Sequence, residues 1–518
     1  MRRSRSGWAP SGSAALPKPN AENPLRTGLR VGGATEPALF TIFGATGDLS
    51  QRKLLPAIYN LAQRGLLPAQ FALIGYSRTQ MDDDSFRRFA RAAIEAHSRT
   101  PVDDRFWPAF ARMIHYQPGG FDDDKHFHDL ASRLAGLDKD MGGGSHHVFY
   151  LSTPSSFFPV IVRRMGNAKL NRGSAGVRIV IEKPFGHDLQ SARDLAGTVH
   201  RWFKESQVYR IDHYLGKETV QNIYALRFAN TIFEPIWSNG YVDHVQLTVA
   251  ESLGVEHRAA FYEETGVVRD IVQNHLLQVL SLVAMEPPAA FEAEAVRDEK
   301  AKLLRAVRPM AFEDSVRGQY GPGYVAGDAV DGYRTEPNVP ADSATPSYIA
   351  AKLEIDNWRW AGTPFYIRTG KRLAKRVTEV AVQFKRPPHL PFSREASEHL
   401  EANSLVLRIQ PDEGISLRFG AKAPSPTLSI RSVNMDFLYG SSFLTDVPEA
   451  YETLILDAIK GDGTLFTRQD SVERSWEICD PLLEQWRIGQ PQIYQSGSWG
   501  PDGADELLAR DGRRWRRP

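Results

Sequence analysis

The first two fifths of the chain alternate short apolar runs with stretches of helical periodicity. The run "ALFTIFG", residues 38–44, predicts a buried strand, and "FALIGYSR", residues 71–78, predicts a second one. Between them lies "RKLLPAIYNLAQRG", whose apolar residues from Leu54 to Leu61 recur at helical spacing, and Gly65 can end that helix. "HHVFYLSTP" and "VRIVIEKPFG" predict further strands. Strands that alternate with helices in this way are typical of a parallel sheet.

The pattern changes after about residue 212. A helical stretch comes first, and then "HVQLTVAE", "EVAVQFK", "SLVLRIQ" and "ISLRFGAK" alternate apolar and polar residues with a period of two. This alternation predicts antiparallel strands with one covered face. "PDEG", residues 411–414, predicts the hairpin turn between the last two strands.

A glycine-rich loop joins the first strand to the first helix. "GATGDLS" begins at Gly44 with the spacing G-x-x-G-x-x-S, so Ser50 stands where a third small residue would allow close helix–strand packing. A helix that begins directly after a strand offers N–H groups and the positive end of its dipole to a phosphate. The loop alone is equally consistent with a tight turn that binds nothing.

The end of the second strand indicates which coenzyme such a loop would take. An NAD site usually has Asp or Glu there, to bind the ribose hydroxyls. This chain has Arg78 instead, and no acid before Asp82. A carboxylate would repel a 2′-phosphate, whereas a guanidinium binds it with a fork of N–H donors. The position therefore favours NADP over NAD, with a solvated loop arginine as the alternative.

Composition narrows the class of protein. The 518 residues suffice for two or more domains, and a formal net charge of +1 gives no indication of nucleic acid or an anionic membrane as a partner. The single cysteine, Cys479, excludes an internal disulfide and fits a reducing compartment, so we expect a cytoplasmic protein. No apolar run is long enough to span a bilayer. The first 35 residues are rich in Arg, Pro, Ser and Gly with a single acid, which predicts a disordered tail.

Two stretches carry the chemistry. In "YRIDHYLGKETVQN", His213 and Lys217 are four residues apart, which predicts a shared helix face, and Tyr214 stands beside them. Imidazole, phenol and ammonium groups together suit a phosphate or another anion. Asp212 is the one acid beside them, and it could orient a second imidazole.

The second stretch, "DIVQNHLLQVLSLVAM", is a mostly apolar helix that carries His275. A histidine there can act as a general base near neutral pH, and a core histidine with a satisfied hydrogen bond is the alternative. Asp270 is five residues away and off the same α-helix face, so a carboxylate partner must come from elsewhere in the fold. The acids and histidines of "DDDKHFHD", residues 122–129, predict a solvated helix start rather than a metal site.

These motifs resemble those of the glucose-6-phosphate dehydrogenases. "GATGDLSQRKLLPA", "EKPFG", "RIDHYLGKE" and "IVQNH" occur there in this order, and the similarity continues through "PFYIRTGKRL", "NSLVLRIQPDEG" and "SGSWGP". The resemblance implies oxidation of D-glucose 6-phosphate at C1 to 6-phospho-D-glucono-1,5-lactone, with hydride transfer to NADP, as the first step of the oxidative pentose phosphate pathway. It also implies a homodimer or homotetramer.

The expected organisation has three parts. Residues 1–36 form the disordered tail and residues 37–211 a Rossmann-like NADP-binding domain. Residues 212–518 form a C-terminal α+β domain, with a large, mainly antiparallel sheet and helices, for substrate binding and oligomerisation.

The resemblance implies a role for each matching residue. His275 is the base, Asp212 orients it, and Lys183 contacts both substrate and coenzyme. The coenzyme-binding residues are Gly44, Ala45, Thr46, Gly47, Asp48, Leu49, Ser50, Arg78, Tyr150 and Lys183. The substrate-binding residues are Lys183, His213, Tyr214, Lys217, Glu251, Asp270, Lys371, Arg376 and Gln410. No metal is expected, because hydride transfer is the coenzyme's chemistry.

Some positions depart from the family pattern. Animal relatives hold a second, structural NADP with several basic residues of the sheet domain. Arg368 and Arg408 match that set, but Val377 and Ala381 replace two of the basic residues, so we expect no structural NADP. The alternatives for the whole chain are an NAD-preferring or dual-coenzyme sugar-phosphate dehydrogenase, or a non-catalytic regulatory relative.

Overall fold

The computed structural model describes residues 32–173, 175–443 and 448–518. Most of the predicted tail, residues 1–31, lies outside these ranges. Residues 32–36, which the prediction included in the tail, lie against the first domain, where the Ala34 N–H donates to the backbone oxygen of Leu66 at 2.9 Å. No helix in the described ranges is both long enough and apolar enough to cross a membrane.

In the part of the chain that the structure describes, six parallel strands form the first sheet. Their bounds are β1 Ala38–Phe43, β2 Phe71–Ser77, β3 Ile114–Pro118, β4 His146–Leu151, β5 Val177–Ile181 and β6 Val208–Arg210. They lie in the order β3-β2-β1-β4-β5-β6, which confirms the predicted doubly wound sheet. The strand order reverses between β1 and β4, and dinucleotides bind at such a switch point, outside the carboxyl ends of the strands.

Helices cover both faces of this sheet. They are α1 Leu55–Gln63, α2 Asp83–His97, α3 Trp107–Arg112, α4 Asp124–Asp140, α5 Phe158–Asn167 and α6 Leu189–His200. β1 is buried along its whole length, and its side chains alternate between two apolar cores. Leu39 and Phe43 belong to one core, whereas Phe40 and Ile42 belong to a second core that continues into the C-terminal half of the chain.

The second sheet has ten strands within the described ranges. They are β7 Val242–Ala250, β8 Ser315–Val325, β9 Asp328–Val330, β10 Tyr348–Leu353, β11 Phe365–Gly370, β12 Val377–Phe384, β13 Ser404–Gln410, β14 Gly414–Lys422, β15 Ile430–Leu438 and β16 Gln492–Ser496. The order is β15-β14-β13-β12-β7-β11-β10-β8-β16, with β9 beside β8. Most pairs are antiparallel, as predicted, but β7 with β11 and β8 with β16 are parallel. The predicted hairpin turn joins β13 to β14.

The C-terminal half also contributes helices. They are α7 Glu218–Phe228, α8 Ala259–Val267, α9 Leu277–Ala284, α10 Ala293–Ala306, α11 Arg394–Ser397, α12 Tyr439–Phe443, α13 Ala450–Lys460, α14 Gln469–Gln485 and α15 Asp502–Ala509. α13 packs on α1 and β4, and α14 packs on α6, where the Trp476 indole donates to the backbone oxygen of Phe185 at 3.0 Å. Helices from the end of the chain therefore complete the layers around the first sheet.

The prediction of one covered face is wrong for the central strands of the second sheet. β7 and β12 are buried almost throughout, including their polar positions. The end of the chain covers the polar side: the Gln246 amide donates to the Arg514 backbone oxygen at 2.9 Å and accepts from the Arg516 N–H at 2.7 Å. Buried polar side chains at alternate positions thus have partners that the local sequence does not indicate.

Candidate active site

The glycine-rich loop lies at the switch point of the first sheet. Gly44 has φ +81°, and a Cβ atom there would lie 2.3 Å from the Ser152 backbone oxygen at the end of β4, so only glycine fits. The N–H groups of Gly44 and Ala45 donate to the Tyr76 backbone oxygen, which ties the loop to β2. A helix follows directly, first as a π-helix (Ser50–Leu54) and then as α1. Ser50 is fully buried, as close helix–strand packing requires.

Arg78 follows the last residue of β2 and is exposed. Its guanidinium lies 5.9 Å from the centre of the Phe157 ring, and none of the described carboxylates pairs with it. At the same edge, the Thr46 hydroxyl hydrogen-bonds to the Ser77 hydroxyl at 2.9 Å. The guanidinium is therefore available to an anion bound beyond the loop.

A cavity of about 400 Å³ separates this loop from the C-terminal half. Its lining residues are Gly47, Asp48, Leu49, Ser152, Thr153, Pro154, Glu182, Lys183, Pro184, Arg258, Phe261, Thr265, Arg269, Asp270 and Tyr451. Sequence reasoning missed Arg258 and Phe261, which have no motif around them, and Arg269, which directly precedes the stretch that begins at Asp270. Glu182 was also missed, although its place beside Lys183 at the end of β5 could have indicated it.

His275 and Asp212 form a buried pair beside this cavity. They are 1% and 3% exposed, and the His275 Nδ1 lies 2.5 Å from the Asp212 Oδ1. The Lys183 ammonium lies 3.1 Å from the His275 Nε2. An ammonium can only donate, so Nε2 carries the lone pair and Nδ1 the proton that faces Asp212. This is the tautomer in which Nε2 can accept a proton.

The electrostatics of the pair follow from burial and from its neighbours. Burial lowers the pKa of His275, Asp212 opposes this fall, and the Lys183 ammonium adds to it. Burial would raise the pKa of Asp212, but the imidazole beside it holds that pKa well below its ordinary value. Asp212 is therefore ionised and His275 neutral at pH 7, as a base and its orienting carboxylate must be.

The helix that carries His275 differs from the prediction. Residues Val268–Leu276 form a π-helix, in which hydrogen bonds run from residue i to residue i+5. Asp270 and His275, five apart, therefore lie on the same side, and the Lys183 ammonium contacts both, with 3.2 Å to the Asp270 Oδ1. The prediction that they lie on different faces is wrong, because it assumed an α-helix. The partner carboxylate nevertheless comes from elsewhere in the fold, as expected.

A second group of polar residues surrounds Lys217. Its ammonium lies 2.5 Å from the Gln410 Oε1 and 4.2 Å from the centre of the Tyr214 ring. Burial, and then the charge of Arg376, lower the pKa of Lys217 to about 8. The His213 ring lies 4.6 Å from the ring of His275, so this group adjoins the buried pair.

The helical face predicted for His213 and Lys217 is wrong. Residues 213–216 form a turn, and α7 begins only after Lys217. Asp212 produces this turn because its Oδ1 accepts the Tyr214 N–H at 2.9 Å. A side chain that competes for backbone donors in this way opposes a helix. His213 still lies near His275, and Lys217 lies near Gln410. The predicted cluster therefore forms, but a turn presents it instead of a helix.

A third group lies on the second sheet. The Lys371 ammonium pairs with the Glu251 Oε2 at 2.6 Å and lies 5.1 Å from the centre of the Tyr262 ring. The charge of Lys371 also acts on Asp270, whose pKa burial would raise and whose basic neighbours lower. Carboxylates and ammonium groups thus alternate from Glu251 to His275, an arrangement suited to sugar hydroxyls.

Tyr150 does not line the cavity. It is buried at the end of β4, and its hydroxyl donates to the Glu182 carboxylate, which does line it. Burial raises the pKa of Glu182 to about 7. Tyr150 therefore acts on the cavity through Glu182.

Arg368 and Arg408, the two basic residues that match the structural NADP site of animal relatives, both have partners within this chain. Arg368 is buried between the rings of Trp499 and Trp515, at 4.8 and 4.6 Å from their centres, beside a second cavity of about 1280 Å³. Arg408 pairs with Asp436 at 2.5 Å.

One group in the described ranges has metal-ligand atoms close together: Asp212, His213 and His275, within 4.8 Å of one another. Two of these residues already share a hydrogen bond in the buried pair. The histidines and acids of residues 122–129 form the start of α4, as predicted, where Asp123 caps the helix by accepting the Lys125 N–H.

Known proteins match the chain over nearly its whole length. The family model "Glucose-6-phosphate dehydrogenase, NAD binding domain" matches residues 41–222, and "Glucose-6-phosphate dehydrogenase, C-terminal domain" matches residues 224–516. Glucose-6-phosphate 1-dehydrogenase 2 of Mycobacterium tuberculosis H37Rv is 49% identical over 503 residues, which cover 96% of this chain and 98% of the relative. Glucose-6-phosphate 1-dehydrogenase of Chlamydia muridarum is 46% identical over 494 residues, with 93% and 97% covered.

Solved structures agree with the fold. A glucose-6-phosphate dehydrogenase in complex with its substrate glucose-6-phosphate superposes with a TM-score of 0.87 at 35% identity, and the match covers 94% of this chain and 100% of that one. The glucose-6-phosphate 1-dehydrogenase of Mycobacterium avium superposes with a TM-score of 0.81 at 37% identity, covering 93% and 99%. The matches include both sheets and every segment that forms the site, and the chain belongs to the glucose-6-phosphate dehydrogenase family.

Proposed function

We propose that the protein oxidises D-glucose 6-phosphate at C1 to 6-phospho-D-glucono-1,5-lactone with NADP as hydride acceptor, the first step of the oxidative pentose phosphate pathway. The observation that carries this proposal is the buried Asp212–His275 pair, whose Nε2 contacts Lys183, a residue that lines the cavity next to the coenzyme loop.

His275 is the proposed base. As C1–H leaves as hydride, the C1 hydroxyl must lose its proton, and the His275 Nε2 accepts it. Asp212 stabilises the imidazolium that forms and keeps the ring oriented. The Lys183 ammonium donates to the side chain and the backbone oxygen of Asp270, and these hydrogen bonds hold it beside the His275 Nε2. NADP, when bound, supplies the electrophilic ring that receives the hydride.

The phosphate of the substrate is proposed to bind far from C1, at His213, Tyr214 and Lys217. Gln410 and Arg376 complete this group from the second sheet. Binding energy at a non-reacting phosphate fixes the orientation of the sugar at the base. Glu251, Lys371 and Asp270 are proposed to bind the hydroxyls.

The preference for NADP over NAD rests on Arg78. Its guanidinium at the end of β2 is exposed and forms no ion pair with the described carboxylates, so it suits a 2′-phosphate, and the loop of Gly44 to Ser50 suits the diphosphate. Comparing initial rates with NADP and NAD tests this preference, and equal rates would favour the dual-coenzyme alternative.

We also propose a cytoplasmic homodimer or homotetramer. Light scattering on a sizing column would distinguish the dimer from the tetramer.

The reaction is tested by the growth of NADPH absorbance with purified protein, glucose 6-phosphate and NADP. Free glucose is the control, because it lacks the phosphate. Activity only with unphosphorylated sugars, or none with glucose 6-phosphate, would contradict the proposal.

The base is tested by His275→Asn, which keeps a polar side chain but cannot usefully accept a proton. We expect turnover to fall by about a hundredfold to ten-thousandfold, with little change in substrate affinity. If His275 is only a core residue, melting temperature and affinity will fall together with turnover. Near-normal turnover would remove His275 from the mechanism.

A further inference from the structure

Glu182 is an acid that the proposed mechanism does not use, although it lies at the cavity between the coenzyme loop and the C-terminal half. It directly follows Ile181, the last residue of β5, and it lines this cavity beside Lys183. Its side chain is half-buried. In the ranges that the structure describes, no lysine or arginine forms an ion pair with it. A carboxylate partly removed from water is expected to have a partner, and a bound ligand can supply one.

Two tyrosines adjoin this carboxylate. The hydroxyl of Tyr150, which is 1% exposed at the end of β4, donates to the Glu182 Oε1. Tyr451, at the start of α13, lines the same cavity, and burial and then the negative charge of Glu182 raise the pKa of its hydroxyl. An ionised carboxylate has about four lone-pair sites, so these neighbours orient Glu182 and still leave it able to accept from a ligand in the cavity.

The other acids on the wall of this cavity already have cationic partners. Asp48 pairs with Arg52 at 2.6 Å, and Asp270 pairs with Lys183 at 3.2 Å. Among the described residues that line the cavity, Glu182 is therefore the acid whose charge is left for a ligand.

The place of Glu182 relative to the base indicates which part of the coenzyme it suits. The Lys183 ammonium lies 3.1 Å from the His275 Nε2, the proposed acceptor of the C1 hydroxyl proton. Hydride transfer requires C4 of the nicotinamide to approach C1 of the sugar to within about 3–3.5 Å. The carboxamide is attached to the neighbouring ring carbon, C3. A carboxylate next to Lys183 on the cavity wall is therefore suited to the carboxamide, whereas the glycine loop on the same cavity suits the diphosphate.

We infer that Glu182 binds the nicotinamide end of the coenzyme: its carboxylate accepts an N–H of the carboxamide and favours the oxidised ring, which is positively charged, over the reduced ring, which is neutral. This inference rests on the proposed dehydrogenase activity. The attraction between carboxylate and ring disappears once the ring has accepted hydride, because the ring loses its charge. Glu182 therefore strengthens the binding of NADP without strengthening the binding of the product NADPH to the same extent.

A coenzyme analogue tests the hydrogen bond by binding alone. In 3-acetylpyridine adenine dinucleotide phosphate a methyl group replaces the carboxamide NH₂, so the ring keeps its charge but has no N–H to donate. Dissociation constants are measured by calorimetry without sugar at pH 8, because burial raises the pKa of Glu182 to about 7 and the carboxylate is ionised above it. The wild type should bind NADP about tenfold more tightly than the analogue, and Glu182→Leu should bind the two within about twofold of each other. The same preference in both proteins would overturn the inference.

Glu182→Gln tests the charge separately, since glutamine keeps the shape and an acceptor oxygen but is neutral. The dissociation constant of NADPH divided by that of NADP should fall about fivefold in this variant, because the charge favours only the oxidised ring. Glu263→Gln is the matched control: Glu263 accepts the hydroxyl of Tyr333 on α8 and does not line the cavity, so this variant should keep the wild-type ratio. An unchanged ratio in Glu182→Gln would refute the role of the charge and with it the inference.

The alternative is that Glu182 serves only as the structural partner of Tyr150. In that case Glu182→Gln and Glu182→Leu would lower the melting temperature of the coenzyme-free protein, while both ratios of dissociation constants would stay at their wild-type values. Should Glu182→Leu not fold, Glu182→Gln decides through the ratio for NADPH and NADP.

The wild-type measurements separate this inference from the proposed function. If the wild type binds NADP and reduces it with glucose 6-phosphate, but the ratios do not depend on Glu182, only the role of Glu182 is refuted. If the wild type binds no NADP, the proposed function is wrong and the inference fails with it.

Discussion

Asp212→Asn tests whether the negative charge of Asp212 contributes to the action of His275 as a base. The Asp212 Oδ1 accepts the His275 Nδ1–H at 2.5 Å and the Tyr214 N–H at 2.9 Å. Asparagine has nearly the same shape, and its amide oxygen can keep both contacts, but it carries no charge. We expect a folded protein with lower turnover.

The magnitude follows from the charge that is lost. A hydrogen bond to an ionised partner contributes about 1.5–3 kcal/mol, against about 0.5–1.5 kcal/mol for a neutral one. The imidazolium that forms during the reaction therefore loses the difference, roughly 1–1.5 kcal/mol of stabilisation, and turnover should fall by about fivefold to thirteenfold.

A larger loss would mean that the amide has turned around. If its NH₂ group faced Nδ1, the imidazole proton would move to Nε2 and block the base, and in the serine-protease triad this change costs about ten-thousandfold. Here the Tyr214 N–H opposes that orientation, because it requires an acceptor at the same position. A ten-thousandfold loss would refute this reasoning about Tyr214.

The assay compares kcat, the affinity for glucose 6-phosphate and the melting temperature. Asp243→Asn is the matched control, since Asp243 binds the His244 Nδ1 at 2.6 Å at the start of β7 without contacting the site. It should lower stability and leave turnover unchanged. In Asp212→Asn the acid limb of kcat/KM should move to lower pH, because the carboxylate that opposes the lowered pKa of His275 is gone.

Three further predictions concern the coenzyme, the phosphate and the loop. Arg78→Ala should weaken NADP about tenfold to a hundredfold and leave NAD unchanged, and equal losses in titrations of both coenzymes would contradict the 2′-phosphate role. Lys217→Met should raise KM for glucose 6-phosphate but not for free glucose. Because the pKa of Lys217 is about 8, the wild-type KM for glucose 6-phosphate should also rise above that pH. A KM that does not depend on pH would count against a phosphate-binding role for Lys217. Gly44→Ala should lower the free energy of unfolding by about 1–3 kcal/mol or more, because of strain at φ +81° and the contact with Ser152. Gly65→Ala, at φ +66° with open space around its Cβ, should lower it by less in the same denaturant titration.

The alternation of strands and helices was sufficient to predict the first sheet. Each parallel strand is covered on both faces, so its apolar run is continuous and easy to locate, and the glycine loop marks the strand that begins the switch point. The second sheet was predicted less well because β7 carries polar residues on a face that the end of the chain covers. Gln246 has its partners almost 270 residues away, and no local pattern indicates them.

The site shows the same division between local chemistry and long-range geometry. The residue types at 212–217 and 270–275 led to the prediction of an anion site and a base, and the structure brings these residues together, but the backbone that presents them was not predicted. Over a segment as short as Val268–Leu276, the sequence pattern does not distinguish a π-helix from an α-helix, so the approach of Asp270 to His275 becomes visible only when the hydrogen bonds are known. The turn at His213 depends in the same way on one side-chain hydrogen bond of Asp212.

The hydrophobic periodicity of the sequence could not predict that residues from distant parts of the chain meet at one site. Lys183 follows β5 of the first sheet, Asp212 follows its last strand, and His275 lies on a helix of the second half, yet all three meet within hydrogen-bond distances. The reason is the shared apolar core: it joins the two sheets, so the carboxyl end of β5 faces the π-helix across one cavity. A substitution that loosens this core should therefore separate base from coenzyme without touching either, and should lower turnover before it lowers the affinity of the coenzyme loop.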